Sequence, residues 1–217
     1  MDYIVFKKDF HEFELIKLNI FIDEFSNVCE GTKIFSGSKI VNSTIGANCE
    51  IGRNSIIVNS KIAKGVKIES SYLNDCEVEE ETTIGPFATI KKQSKIGLHC
   101  RIGNFVEIKN SVVGGNTKIA HLAYVGDCEI GENCNIGCGV VFCNYNGRFK
   151  FKSVVGDYVF IGSNVNIIAP VKIEDEAYIA AGSTITKDVS KSQFAIAREN
   201  QTNKNNFDNP YIKNKNE

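Results

Sequence analysis

The chain has 217 residues, enough for one sizeable hydrophobic core that needs neither metal nor disulfide support. Its 25 Lys and Arg against 26 Asp and Glu leave a formal net charge of -1, which removes any general electrostatic reason to bind nucleic acid or a membrane surface, so an anion site has to be local. Eight cysteines is a high count, yet no CxxC pair occurs and nothing points to secretion.

Residues 1–30 begin MDYIVFKKDFHEFELIKLNIFIDEF, with acidic residues among the apolar ones. They lack both a long apolar run and a small-residue cleavage site, and a cytoplasmic protein is expected. Their loose apolar pattern fits a short helix or an imperfect coil capping an open end, and the sequence does not choose between the two.

From residue 31 a repeat takes over. Aliphatic residues stand at Ile34, Ile40, Ile45, Ile51, Ile57, Ile62, Ile68, Leu73 and Val78, with occasional five-residue steps, and then at Ile84, Ile90, Ile96, Ile102 and Ile108 at a strict step of six. The pattern continues through Val113, Ile119, Val125, Ile130 and Ile136, and resumes at Val155, Ile161, Ile167, Ile173, Ile179 and Ile185. A period of six fits neither a helix nor a hairpin meander; it fits short strands joined by tight corners. Three such strands make one triangular coil of about eighteen residues, stacked about 4.8 Å from the next. About eight coils are expected over residues 31–190.

Cys49, Cys76, Cys100, Cys128 and Cys134 each lie two residues before a repeat aliphatic, the spacing of one strand face, and read as small buried thiols. The stretch CNYNGRFKFK, residues 143–152, breaks the period and is expected to be expelled as a loop. Residues 191–217 lose the repeat and end in an Asn- and Lys-rich tail, expected to be mobile unless it docks on a neighbour.

Lys91 and Lys109 each follow a repeat isoleucine and lie one coil apart, so they stack and face outward; they form either a shared anion site or two solubilising lysines that splay apart. His121, two residues past Ile119, occupies a corner, where imidazole is usually just solvated; it is also the side chain best matched to taking a proton near neutral pH. Glu107 faces outward about one coil below, where it can orient that ring. His11, His99 and His121 have no close pair on one coil, which argues against a zinc site. No phosphate loop or dinucleotide fingerprint occurs.

From about Ile40 to Lys204 the motifs TIGPFA, IGNFVEIK, AHLAYVGD, IGENCNIG, CNYNGRFKFK, VFIGSN, APVKI, YIAAGSTIT and FAIAREN-QT follow one another. In order and spacing they resemble the C-terminal acetyltransferase domain of the bacterial bifunctional glucosamine-1-phosphate N-acetyltransferase/N-acetylglucosamine-1-phosphate uridylyltransferase, one of the hexapeptide-repeat acyltransferases. The resemblance implies an all-β fold, a left-handed parallel β-helix, and acetyl transfer from acetyl-CoA to glucosamine 1-phosphate in UDP-N-acetylglucosamine biosynthesis. It implies His121 as general base and Glu107 as its supporting carboxylate. Lys91, Lys109, Tyr124, Asn135, Asn144 and Lys150 match sugar-phosphate positions, and Cys138, Tyr145, Ser163, Ala181 and Arg198 match the acetyl-CoA side. It also implies a homotrimer with sites between subunits.

Three positions depart from the family. Lys91 stands for a phosphate-gripping arginine, keeping the charge and losing the bidentate fork. Asn146 stands for an aspartate in the loop, and Cys138 replaces a small residue. Nothing upstream of the repeat is long enough for the uridylyltransferase domain, so a separate uridylyltransferase is expected to supply that step, and no metal is expected for the acetyl transfer. Two alternatives stay open: another amino-sugar phosphate or amino-sugar nucleotide as acceptor, or a non-catalytic scaffold.

Overall fold

The computed structural model describes residues 2–7, 12–205 and 207. His11 and most of the polar tail lie outside them.

Most of the described chain is one parallel β-helix of three faces. The first face is an eleven-stranded sheet. Its first strand, Tyr3–Val5, runs antiparallel to Lys33–Phe35, and the other ten are parallel, ending at Phe194–Ala195. The second face stacks Phe21–Ile22, Lys39–Val41 and Ile56–Val58 and continues through Glu107–Lys109 and Tyr124–Gly126 to Thr184–Ile185. The third runs from Asn27–Val28 to Lys172–Ile173. Tyr72–Val78 and Thr89–Ile96 bend around the corner that the second and third faces share.

The expectation of eight coils falls short: ten strands stack in parallel on the first face. Coils already form at Phe21–Ile22 and still form at Phe194–Ala195, and five-residue steps shorten many of them, so that Ile34 pairs with Ile51 and Ile102 with Ile119.

Every repeat aliphatic points inward. Ile34, Ile51, Ile68, Ile102 and Ile119 are sealed from solvent on the first face, as are Ile40, Ile57, Ile90, Ile108 and Val125 on the second. Burying one such side chain is worth roughly 1.5–3 kcal/mol against leaving it exposed, repeated at each coil. Two residues earlier a small side chain occupies each corner of the core. There Thr32 Oγ1 donates to the Gly46 carbonyl at 2.7 Å and accepts from the Cys49 amide at 3.1 Å, tying successive coils together. Cys49, Cys76, Cys100, Cys128 and Cys134 share these small positions, and all five are buried and free.

The turns need a left-handed residue, supplied mostly by Asn and Gly. The corner between the first and second faces departs from this rule: Phe87, Phe105 and Leu122, at φ 58°, 57° and 42°, stand exposed in consecutive coils.

Candidate active site

His121 ends the strand Lys118–His121, at the last position of the first face before the turn at Leu122. Parallel pairing sets Asn104 directly beneath it, and Asn104 Oδ1 lies 2.9 Å from His121 Nδ1. An acceptor there keeps the proton on Nδ1 and leaves the Nε2 lone pair free, the tautomer a base requires. The sequence reading gave the orienting role to Glu107. In the folded chain the Glu107 carboxylate meets the Lys91 ammonium at 2.8 Å, and Asn104 is the residue bonded to the ring. The spacing held the signal, since Asn104 precedes His121 by one coil, but a short amide in a Gly-Asn corner reads as a turn residue.

Around that corner Glu107 pairs in register with Tyr124, and Lys91 with Lys109, so the two lysines do stack. The Lys91 ammonium is engaged by Glu107 from the next coil, so an anion shared with Lys109 has to compete with that carboxylate.

Tyr124 spans the second face. Its backbone lies just past the His121 corner, and its hydroxyl accepts from Asn144 Nδ2 at 3.4 Å at the far edge. Asn144 opens the expelled loop, which leaves the helix after Val141–Cys143 and returns at Ser153–Val155. Tyr145 and Lys150 bridge its base, while Asn146 Oδ1 accepts from the amides of Arg148 and Phe149 at 2.9 and 2.8 Å. Asparagine thus holds the turn by the oxygen that aspartate would use. Lys150 lines a cleft of about 270 Å³ together with Asn110 and Asp127.

The expected acetyl-CoA positions continue upward from His121. Gly139, the residue after Cys138, donates its amide to Leu122; Asn164, after Ser163, donates to Cys138; and Gly182, after Ala181, donates to Ser163. Arg198 then donates to the Ala181 carbonyl at 2.8 Å. Cys138, Ser163, Ala181 and Arg198 therefore form one column above the imidazole. Tyr145 belongs to the loop instead, its hydroxyl donating to the Gly147 carbonyl. Asn135 begins its first-face strand, at the edge away from the His121 corner, and is not gathered with the second-face residues.

Sequence reading missed Asn104 and Asp127. Asp127 accepts from Asn110 Nδ2 and from Asn144 Nδ2, each at 2.5 Å. No group of three or more His, Cys, Asp or Glu among the described residues is placed to hold a metal ion. No helix among them is long and apolar enough to cross a membrane.

Comparison with known proteins agrees with this architecture. The GMPPB C-terminal domain family matches residues 72–167, and the bacterial transferase hexapeptide family (six repeats) matches residues 152–187. The bifunctional protein GlmU of Clostridium perfringens (strain SM101 / Type A) is 54% identical over 144 residues, 66% of this chain and 32% of the relative. That of Clostridium botulinum (strain ATCC 19397 / Type A) is 54% identical over 145 residues, 67% of this chain and 32% of the relative. The chain thus spans about a third of the length of these curated relatives. Among solved structures, LpxA, a UDP-N-acetylglucosamine acyltransferase from Bacteroides fragilis 9343, superposes with a TM-score of 0.50 at 20% identity, covering 78% of this chain and 66% of that one, a likeness of fold.

Proposed function

The repeat region of this chain is a homologue of the acetyltransferase part of the bifunctional GlmU proteins, and from that premise we propose that it transfers the acetyl group of acetyl-CoA to the amine of glucosamine 1-phosphate. The observation that carries the reading is the His121–Asn104 contact, which leaves one ring nitrogen free at the foot of the column Cys138, Ser163, Ala181 and Arg198.

The amine attacks the thioester carbonyl while His121 Nε2 takes its proton. The tetrahedral intermediate collapses with cleavage of the C–S bond, and the imidazolium returns the proton to the departing CoA sulfur. Backbone amides of the corner column are suited to the oxyanion. Lys91, Lys109 and Lys150 supply positive charge for the phosphate, and Tyr124, Asn135 and Asn144 supply polar contacts to the sugar. Glu107 holds Lys91 in place until phosphate competes for it.

A homotrimer accompanies this reading. Phe87 and Phe105 stack at 5.6 Å on the exposed corner, with Leu122 next in the column. A left-handed conformation costs such residues roughly 1–2 kcal/mol each, a cost that burial against a second copy offsets. Sites between subunits also answer the separation of Asn135 from the second-face residues. The solenoid occupies residues 21–195, so uridylyl transfer needs another folded unit. A cytoplasmic location suits these substrates.

A second acceptor stays in view because Lys91 lacks an arginine's bidentate grip. The deciding experiment incubates the protein with acetyl-CoA and a panel of hexosamine phosphates and follows free thiol. Turnover with glucosamine 1-phosphate supports the proposal; preference for another amino sugar moves the acceptor, and no turnover at all leaves a scaffold.

A further inference from the structure

We infer that Asp127 is a positioning residue for the acceptor sugar: it fixes which end of the buried Asn144 amide is offered to the ligand. The inference rests on the acetyl-transfer reading and adds to it a residue that none of the sugar or acetyl-CoA positions above includes.

Asp127 sits at a corner with φ 50°, one coil above Asn110 and one coil below Asn144. A carboxylate can only accept. Its two oxygens are both used, Oδ1 by Asn110 Nδ2 and Oδ2 by Asn144 Nδ2, each at 2.5 Å. Asn144 is 6% exposed, and its NH₂ is further directed at the Tyr124 hydroxyl, 3.4 Å away. The amide cannot be turned over without setting its carbonyl oxygen against the Asp127 carboxylate, so Oδ1 must point the other way.

Among the described residues no donor reaches Asn144 Oδ1, and it is not one of the sealed side-chain atoms left without a partner, which are Ser55 Oγ and Ser153 Oγ, so it keeps some contact with solvent. An acceptor that is open to solvent on an otherwise buried side chain selects a ligand group that donates. A hydroxyl or amine of the sugar meets that requirement; a phosphate oxygen does not. The phosphate is thereby steered away from Asn144 and toward the lysines.

Gly126 supports the same arrangement through space rather than conformation. A Cβ there would come within 2.5 Å of the Tyr124 hydroxyl and 2.7 Å of Asn144 Nδ2. The glycine leaves room for the pair that Asp127 orients.

The test is steady-state kinetics with both substrates varied. Asp127→Ala is expected to raise the acceptor KM roughly ten-fold or more, the loss of one oriented hydrogen bond, with the acetyl-CoA KM and the oligomer unchanged and the thermal midpoint lowered by a few degrees at most. Asp127→Asn is expected to recover most of the affinity, because its Oδ1 still accepts from Asn144 while the exposed Asn110 amide turns to accept from its NH₂. Should Asp127→Ala not fold, Gly126→Ala gives the same split by displacing the pair sterically. An acceptor KM unmoved in Asp127→Ala, both KM values rising together, or Asp127→Asn as impaired as Asp127→Ala would each overturn the inference and leave the acetyl-transfer reading intact. A native chain with no turnover on any amino-sugar phosphate overturns both.

Discussion

Asn104 lies one coil beneath His121, and the 2.9 Å contact between its Oδ1 and the imidazole Nδ1 makes the ring's orientation a property of strand register. If that contact sets the tautomer, Asn104→Ala should lower kcat roughly ten-fold, and His121→Ala by roughly 10²–10⁴-fold, with the oligomer intact in both. Thiol release measures both, and near-normal turnover in His121→Ala removes the ring from the mechanism.

Lys91 and Glu107 predict a change in phosphate affinity. Replacing the point charge by a planar fork in Lys91→Arg should leave kcat in place and lower the acceptor KM, since guanidinium binds phosphate through two parallel bonds. A higher acceptor KM in this variant would remove Lys91 from the phosphate site.

The thiols predict reactivity and pH dependence together. Burial pushes Cys76 and Cys100 up to about 11 and raises Cys128 as well. A thiol raised above its unfolded value favours the fold below that unfolded value, and the contribution is lost as pH rises toward the folded one. The melting temperature should therefore fall between about pH 8.5 and pH 11. At pH 8 iodoacetamide should label the exposed Cys138 in the native protein and spare these three until the chain unfolds, as peptide mass mapping will show.

The corner ridge predicts assembly. Phe105→Glu places a charge in the apolar column of Phe87 and Leu122 and should separate the subunits, with the scattering mass falling to that of one chain and acetyl transfer lost. Phe105→Asn tests the backbone: asparagine tolerates φ 57° better, so the separated chain should not be less stable than its parent. A scattering mass that Phe105→Glu leaves unchanged rules this corner out as the interface.

The solenoid was legible because its core repeats: Ile84 to Ile108 advance by six without a slip, and each of them is buried. Lys91 stacking on Lys109 followed from the same arithmetic. What spacing cannot carry is the choice each outward side chain makes among its neighbours. Glu107 reaches down to Lys91 rather than across the corner to His121, because a long carboxylate finds an ammonium one coil away on its own face. Asp127 escaped notice because an acidic corner residue looks like any solvated turn until both oxygens are seen to be occupied. The start of the chain was ambiguous for a different reason: it supplies a strand at Tyr3–Val5, a helix at Glu12–Lys17 and a coil strand at Phe21–Ile22, and so has no single period.

The strand Tyr3–Val5 also sets a limit on growth. Lying head to tail against Lys33–Phe35, it occupies the hydrogen-bonding rim of the first sheet with a chain of opposite direction, reinforced by the Tyr3–Phe35 ring contact and the Arg53–Asp2 ion pair. A further parallel rung meets only a three-residue edge of opposite direction at that sheet's lower margin, which disfavours end-on growth into a fibre there.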